Sequence, residues 1–414
     1  MLNKSNFTIF FIYFYTFLFI FNPSNFFKFN LLYLLTIFSI GYLVFAKDIF
    51  LSFIENKRVF SLLFFCLYII TYLCVLYIGG AEDALYRSYV VLLTIMSILC
   101  GLAIVDMFRK IYGFNFYKFL EFIINIGLIQ FVLVVLSVIF PDFRDWTLNT
   151  ARQEDILSIS NDEFGGLRSF GLASGYTSTL PMFMGVCSLL SFYLFIFNEK
   201  IRLKIFYFLV SFAFLFCVVV NARIGLVPML IWILFSPIFF IYNIKKTGKT
   251  FLFLFLFLFS SMSFSFITLL NSVYFERLKM GLEDVSNLLG GHTSGNFEML
   301  SYMWFFPNNL IDFVFGSGVD VFVLYSKGSD IGLIRDFYMY GLLNIIIMIV
   351  VLIYSSRPLF NILSKYFGFL FSLTFIFSFF LFYLKGMIFS SNEIMNLFFL
   401  LLIFCSLYRV NTVD

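Results

Sequence analysis

Three arginines and one histidine are the residues of this sequence best placed to do chemistry. Arg168 lies in Gly165-Gly166-Leu167-Arg168-Ser169-Phe170-Gly171, and Arg223 follows Asn221-Ala222. Arg335 closes Ser329-Asp330-Ile331-Gly332-Leu333-Ile334-Arg335 and is followed by Asp336. Each stands beside a long apolar run, where a fixed cation is costly unless it faces protein, water or an anion. A planar guanidinium fork matches phosphate oxygens, so three of them converging would make a pyrophosphate site. The alternative for each is snorkelling to the membrane surface or pairing with a carboxylate, and Asp330 and Asp336 stand close to Arg335. His292 is the only histidine and lies in Gly290-Gly291-His292-Thr293-Ser294-Gly295. An imidazole there can be a general base for a hydroxyl, or a solvated loop residue. Glu298 is the second candidate base.

Other chemistries lack their residues. The acidic pairs Glu82-Asp83, Glu154-Asp155, Asp162-Glu163 and Glu283-Asp284 have no one-residue gap of the kind that binds a metal–nucleotide sugar. No Gly-rich loop precedes a Lys-Ser or Lys-Thr pair, so no phosphate-cradling nucleotide site is expected. The six cysteines fall inside apolar runs, without metal spacing or a disulfide framework. No basic run with interleaved aromatics suggests nucleic acid. The expectation is therefore no cofactor, no metal and no nucleic-acid partner.

The elements that must position these residues are membrane helices. Hydrophobic residues are 62% of the 414, charged residues only 12%, and mean hydropathy is +1.01. The charged share is about half that of a soluble domain. The abundance of Phe, 67 copies, reads as a filler choice where other chains use Leu, rather than as an aromatic ligand path. Apolar runs long enough for a bilayer core fall at 7–22, 30–46, 59–78, 89–107, 121–140, 177–197, 205–221, 224–243, 250–270, 332–355, 366–385 and 393–409. The sequence predicts an all-α polytopic protein of about twelve transmembrane helices, one membrane domain over residues 1–414. The weakest divisions are around 47–58 and at 221–224. Met1 to Phe21 lacks a small-residue cleavage site and reads as an uncleaved first helix.

With both ends in the cytoplasm, the inner side collects Lys4, Lys47, Lys57, Arg58, Arg109, Lys110, Lys118, Lys200, Arg202, Lys204, Lys245, Lys246, Lys249, Arg357, Lys365 and Arg409. The short outer segments carry only Lys28, Arg87, Arg223 and Lys385. That bias follows the rule for short loops. Every inner connection is short, whereas two outer loops are long, about 141–176 and 271–331. In the second, Phe275, Leu278, Leu282, Val285, Leu288 and Leu289 recur at helical spacing before Gly290-Gly291, predicting an amphipathic helix on the membrane surface. A second apolar stretch, Phe297 to Phe306, ends at Pro307. Both stretches suit either packing over the spans or a lid over a lipid substrate.

This layout resembles the O-antigen polymerases of Gram-negative bacteria (the Wzy type). Arg168-Ser169-Phe170-Gly171-Leu172 before a span resembles the arginine–glycine stretch of that family's first large periplasmic loop. Asn221-Ala222-Arg223-Ile224-Gly225-Leu226 is similar to its span-opening arginine motif. Phe315-Gly316-Ser317-Gly318, then Ser329 to Arg335, then Tyr340-Gly341-Leu342 resembles the series that closes the second loop. The resemblance implies a polyisoprenyl-pyrophosphate-dependent glycosyltransferase in the bacterial inner membrane. Its substrate would be oligosaccharide repeat units on undecaprenyl pyrophosphate. Arg168, Arg223 and Arg335 would hold pyrophosphate and Asp330 would orient Arg335 or bind sugar. His292 would be the base, with Arg223 sharing the catalytic role. Membrane lipids and a chain-length-regulating co-polymerase would be its partners. O-antigen ligases share much of the layout, although the residues after His292 do not match the ligase histidine motif. A lipid-linked oligosaccharide flippase is the reading from another class; against it, no related halves are visible and charges sit at span ends.

Overall fold

In the computed structural model, residues 4–23, 30–149, 169–173, 178–221, 223–232, 301–323, 328–384 and 386–410 are described. Every regular element among them is a helix. The elements in chain order are α1 (Lys4–Phe21), α2 (Leu32–Phe45), α3 (Lys47–Glu55), α4 (Lys57–Ile78) and α5 (Glu82–Tyr112). Then come α6 (Phe116–Ile139), α7 (Pro141–Asn149), α8 (Thr179–Phe197), α9 (Ile201–Asn221) and a 3-10 turn, Arg223–Leu226. The last are α10 (Leu310–Phe315), α11 (Gly332–Phe367), α12 (Phe369–Leu381) and α13 (Glu393–Val410).

Six helices (α4, α5, α6, α8, α9 and α11) are long and apolar enough to cross a membrane. The number rises to seven if α2 and α3, bent by 97° at Ala46, form one span. α1, α12 and α13 contain shorter apolar helices. The chain is thus a multi-pass membrane protein. α5 has 31 residues, about 46 Å at 1.5 Å per residue, longer than a hydrocarbon core of roughly 30 Å. It therefore carries Glu82 and Asp83 at one end, and Arg109 and Lys110 at the other, beyond the apolar stretch. The weak division at 47–58 is α3, which buries Ile49 and Phe53 and turns Lys47 and Asp48 outward.

The helices differ in how they meet their surroundings. The apolar window of α8 is 94% buried and that of α4 only 33%. A helix apolar all round suits a site enclosed by other helices, or one facing lipid. α8 and α13 take the centre, where α13 is buried from Ile394 through Leu407. Phe rings do much of the filling: Phe119 of α6 stacks on Phe404 of α13 at 3.9 Å, and Phe379 of α12 meets Phe398 at 4.9 Å.

The bundle has two polar ends. At one, the basic end, Asp106 near the end of α5 takes Arg109 at 2.6 Å, Lys110 at 2.9 Å and the Tyr42 hydroxyl at 2.8 Å. There Asn56 also donates to the Ser406 carbonyl of α13, and Ser355 to the carbonyl of Arg58. The opposite end gathers the starts of α5, α8, α11 and α13, and the ends of α9 and α12. It holds the candidate site.

Candidate functional site

Arg335 sits on the first turn of α11. The helix can begin where it does because Gly332 lies against the backbone of residue 386: a Cβ there would fall 2.1 Å from the Gly386 carbonyl oxygen. The preceding strand of chain is pinned by the Ser329 amide, which donates to the Val321 carbonyl at 3.0 Å, and by the Ser329 hydroxyl, which accepts from Ile331. The Arg335 fork then meets Asp320, Nε to Oδ1 at 2.9 Å and Nη2 to Oδ2 at 2.6 Å, with the Phe322 ring 4.5 Å below the guanidinium. Asp320 is itself oriented: its amide donates to Asp83 on α5 at 2.9 Å, and its Oδ1 accepts from the Phe322 amide. Burial works against its charge, but the Arg335 pair outweighs that and holds the Asp320 carboxyl below its ordinary range.

One residue further on, Asp336 is fully buried and meets Arg87 of α5, Oδ1 to Nη2 at 2.9 Å. Tyr383, past the end of α12, donates to the other carboxylate oxygen at 2.8 Å. The Tyr340 ring lies 5.3 Å from the Arg87 guanidinium. Three elements are thereby locked around one buried ion pair. Among the described residues, Arg87 Nε and Nη1 and the Tyr340 hydroxyl are buried there without a hydrogen-bond partner. Each arginine of this cluster has its own carboxylate, and Asp83 adds a third beside Asp320. A phosphate approaching Arg335 would meet the Nη1 end of the guanidinium, because Asp320 holds the other edge.

The Phe315–Gly318 and Tyr340–Leu342 segments, separate in sequence, are one structural unit. α11 breaks at Gly341, whose φ is +76°. In an unbroken helix the Tyr338 carbonyl would bond four residues on. Instead it accepts from the amides of Ser317 at 2.7 Å and Gly318 at 3.1 Å, and from the Ser317 hydroxyl at 3.1 Å. A Cβ on Gly341 would lie 2.4 Å from the Gly316 nitrogen, so the two backbones touch. Asn344 takes the Tyr340 carbonyl at 2.8 Å, and Tyr68 of α4 donates to Asn344 at 2.8 Å. This clasp fixes the chain that leads to Asp320.

A second tight corner lies at the same end of the bundle. The Ser169 amide, next to Arg168, donates to Asn221 Oδ1 at 3.1 Å, two residues before Arg223. Ser169 also reaches the Val134 carbonyl, and Gln130 donates to the Phe170 carbonyl at 2.6 Å. The Arg223–Leu226 turn presses on α8: a Cβ on Gly225 would sit 2.2 Å from the Pro181 carbonyl oxygen. Thr179, opening α8, donates to Glu393, opening α13, at 2.5 Å. Ser97 bonds Ser391, and Asn396 reaches the Phe19 carbonyl of α1.

Arg335 is part-buried and paired, and Asp330 lies part-buried just before α11. The carboxylate that holds the Arg335 fork is Asp320, a residue sequence reasoning did not single out, and Asp336 serves Arg87. Arg223 has its backbone in the 3-10 turn, while its side chain, Arg168, His292, Glu298 and the expected helix over 275–289 lie outside the described residues. Among the described residues no cluster of three or more His, Cys, Asp or Glu side chains could hold a metal. The sequence shows Arg87 only as a cation of the short outer segment before the 89–107 run, whereas α5 takes it in from Glu82 onward; its partner, 249 residues away, is not legible. No family model matches this chain, and neither does any curated protein or solved structure.

Proposed function

We propose that this chain is a membrane glycosyltransferase of the O-antigen polymerase type. It joins oligosaccharide units carried on undecaprenyl pyrophosphate at the outer face of a bacterial inner membrane. In this reading the chain makes twelve spans with both termini in the cytoplasm. The loops at 141–176 and 271–331 are periplasmic, and the end holding Arg335 faces outward. The observation that carries the reading is the gathering of the arginine-bearing segments at one end of the helices. Ser169, which follows Arg168 in sequence, bonds Asn221, two residues before Arg223, and the Arg335 turn stands on the neighbouring helix starts.

The reaction needs no chemistry beyond these residue types. A hydroxyl of the acceptor sugar attacks C1 of the donor's reducing-end sugar, and the C1–O bond to pyrophosphate breaks. The hydroxyl proton passes to a base, for which His292 is the candidate. Undecaprenyl pyrophosphate leaves with the bonding electrons. Fixed cations aimed at that developing charge lower the barrier, a role for Arg168, Arg223 and Arg335, with Asp320 orienting Arg335. Asp330, beside the same turn, binds acceptor sugar. Chain length is set with a co-polymerase partner.

Deleting the gene and separating lipopolysaccharide on a gel tests this reading. Loss of a polymerase leaves lipid A-core bearing a single repeat unit. Loss of all O-antigen from the core indicates a ligase instead, and a retained long ladder contradicts both. Arg223→Ala is expected to abolish polymer while the protein still inserts; full activity removes Arg223 from the site.

A further inference from the structure

Residues 301–319 belong to what the sequence presents as an aqueous loop, yet they are two-faced and nearly uncharged. Asp312 is the one charged residue between Ser301 and Val319. One face packs on α11: Phe305 meets Tyr338 at 5.6 Å, and Phe306 and Phe313 meet Phe337 at 5.1 and 5.4 Å. The other face points away from the protein, with Trp304 43%, Leu310 75%, Ile311 66% and Phe315 49% exposed. α10 itself buries none of its residues. Such an apolar face on a water-filled loop would be a liability.

Its neighbour is a candidate membrane span. The Tyr72 hydroxyl of α4 donates to the Phe315 carbonyl, and a Cβ on Gly318 would meet the Ala81 Cβ just past α4. α4 is a candidate membrane span only one-third buried, and its last residues, Tyr77 and Ile78, are exposed. The outward face of 301–319 adjoins this exposed apolar surface of α4. We propose that the segment lies in the bilayer interface at the loop end, its Trp304, Leu310, Ile311 and Phe315 edge against lipid. It is an interfacial anchor. Through Asp320 and Phe322 it holds Arg335 at the membrane boundary, where a lipid-borne headgroup would arrive. The anchor stands independently of the glycosyltransferase reading.

The full chain in lipid nanodiscs provides the test. In a Trp146→Phe, Trp232→Phe background Trp304 is the sole indole. Its emission is expected to be quenched more by lipids brominated near the headgroup end of the acyl chain than by lipids brominated at mid-chain, and only weakly by aqueous acrylamide. Strong acrylamide quenching without bromolipid quenching would overturn the proposal. A nitroxide at Leu310→Cys in a Cys74→Ser background leaves Trp232 intact; the five other cysteines are buried. Oxygen is expected to relax this nitroxide several-fold more than a water-soluble nickel chelate does. Dominance of the chelate would contradict a lipid contact. Spin–spin broadening between two labels would assign the face to a second copy, and would equally overturn the proposal.

Discussion

Two carboxylates in this bundle are equally hidden from solvent and are held in opposite ways. Asp336, at the loop end, is matched by Arg87 from a helix far away in sequence, and both side chains are almost fully buried. Asp106, at the basic end, is matched by Arg109 and Lys110 of its own helix, whose side chains are 28% and 53% exposed. The first arrangement desolvates cation and anion together and ties three elements into one geometry. The second lets its cations reach solvent and ties mainly one turn of α5. A desolvated pair is a poor source of net stability but is costly to break, because the survivor is left as an uncompensated buried charge. A solvent-wetted pair tolerates loss of one partner. The loop end is thus built for fixed geometry, the basic end for anchoring at a surface.

The largest expected effect is at the buried pair. Arg87→Ala should cost about 3–5 kcal/mol, read as a large fall in the thermal midpoint of the purified protein in detergent. Arg87→Met combined with Asp336→Leu should recover much of that loss, since no lone charge remains. A single variant as stable as the parent would break the distinction between the two ends. Next comes Gly341→Ala, which puts a side chain at a φ of +76° and against the Gly316 backbone. The conformational strain alone is about 1–3 kcal/mol, and faster amide exchange at Ser317 and Gly318 should report release of the clasp. At the basic end, Arg109→Ala and Lys110→Ala taken singly should each change stability by no more than about 1 kcal/mol, because the other cation and Tyr42 remain.

The smallest effect sharpens the comparison through pH. The Asp320 carboxyl is held below its ordinary range by Arg335. Its contribution is therefore complete above the unfolded carboxyl value of about 3.9 and is lost as pH falls through the lower folded value. Amide exchange at Phe322, corrected for its intrinsic pH dependence, should rise only in that acid window. Asp320→Asn should remove the dependence.

Apolar helices, six or seven of them long enough to cross a membrane among the described residues, were legible because hydropathy over a bilayer's width is a local property. α6, α8 and α13 begin or end within a few residues of the expected limits. α7 was not foreseen: Pro141 supplies a preorganised first helical residue to a stretch read as loop. The three short motifs around Gly316, Arg335 and Gly341 were visible as strings, but the union of the first and the last around the Tyr338 carbonyl depends on a helix break that apolar periodicity does not encode. The partners Arg87, Asp320, Asp336 and Glu393 were hidden for a different reason. A buried charge announces that it needs a counterion without saying from which helix.

The central claim, that the arginine-bearing end transfers glycan from a pyrophosphate carrier, is tested most directly by reconstitution. The purified chain in liposomes would be given undecaprenyl-pyrophosphate-linked repeat units extracted from the deletion strain, and released undecaprenyl pyrophosphate would be measured against glycan length. The account predicts one carrier released per glycosidic bond formed, with a ladder of lengthening glycan that Arg223→Ala abolishes. Unchanged single units, with no carrier released by a protein that is folded in the membrane, would contradict it.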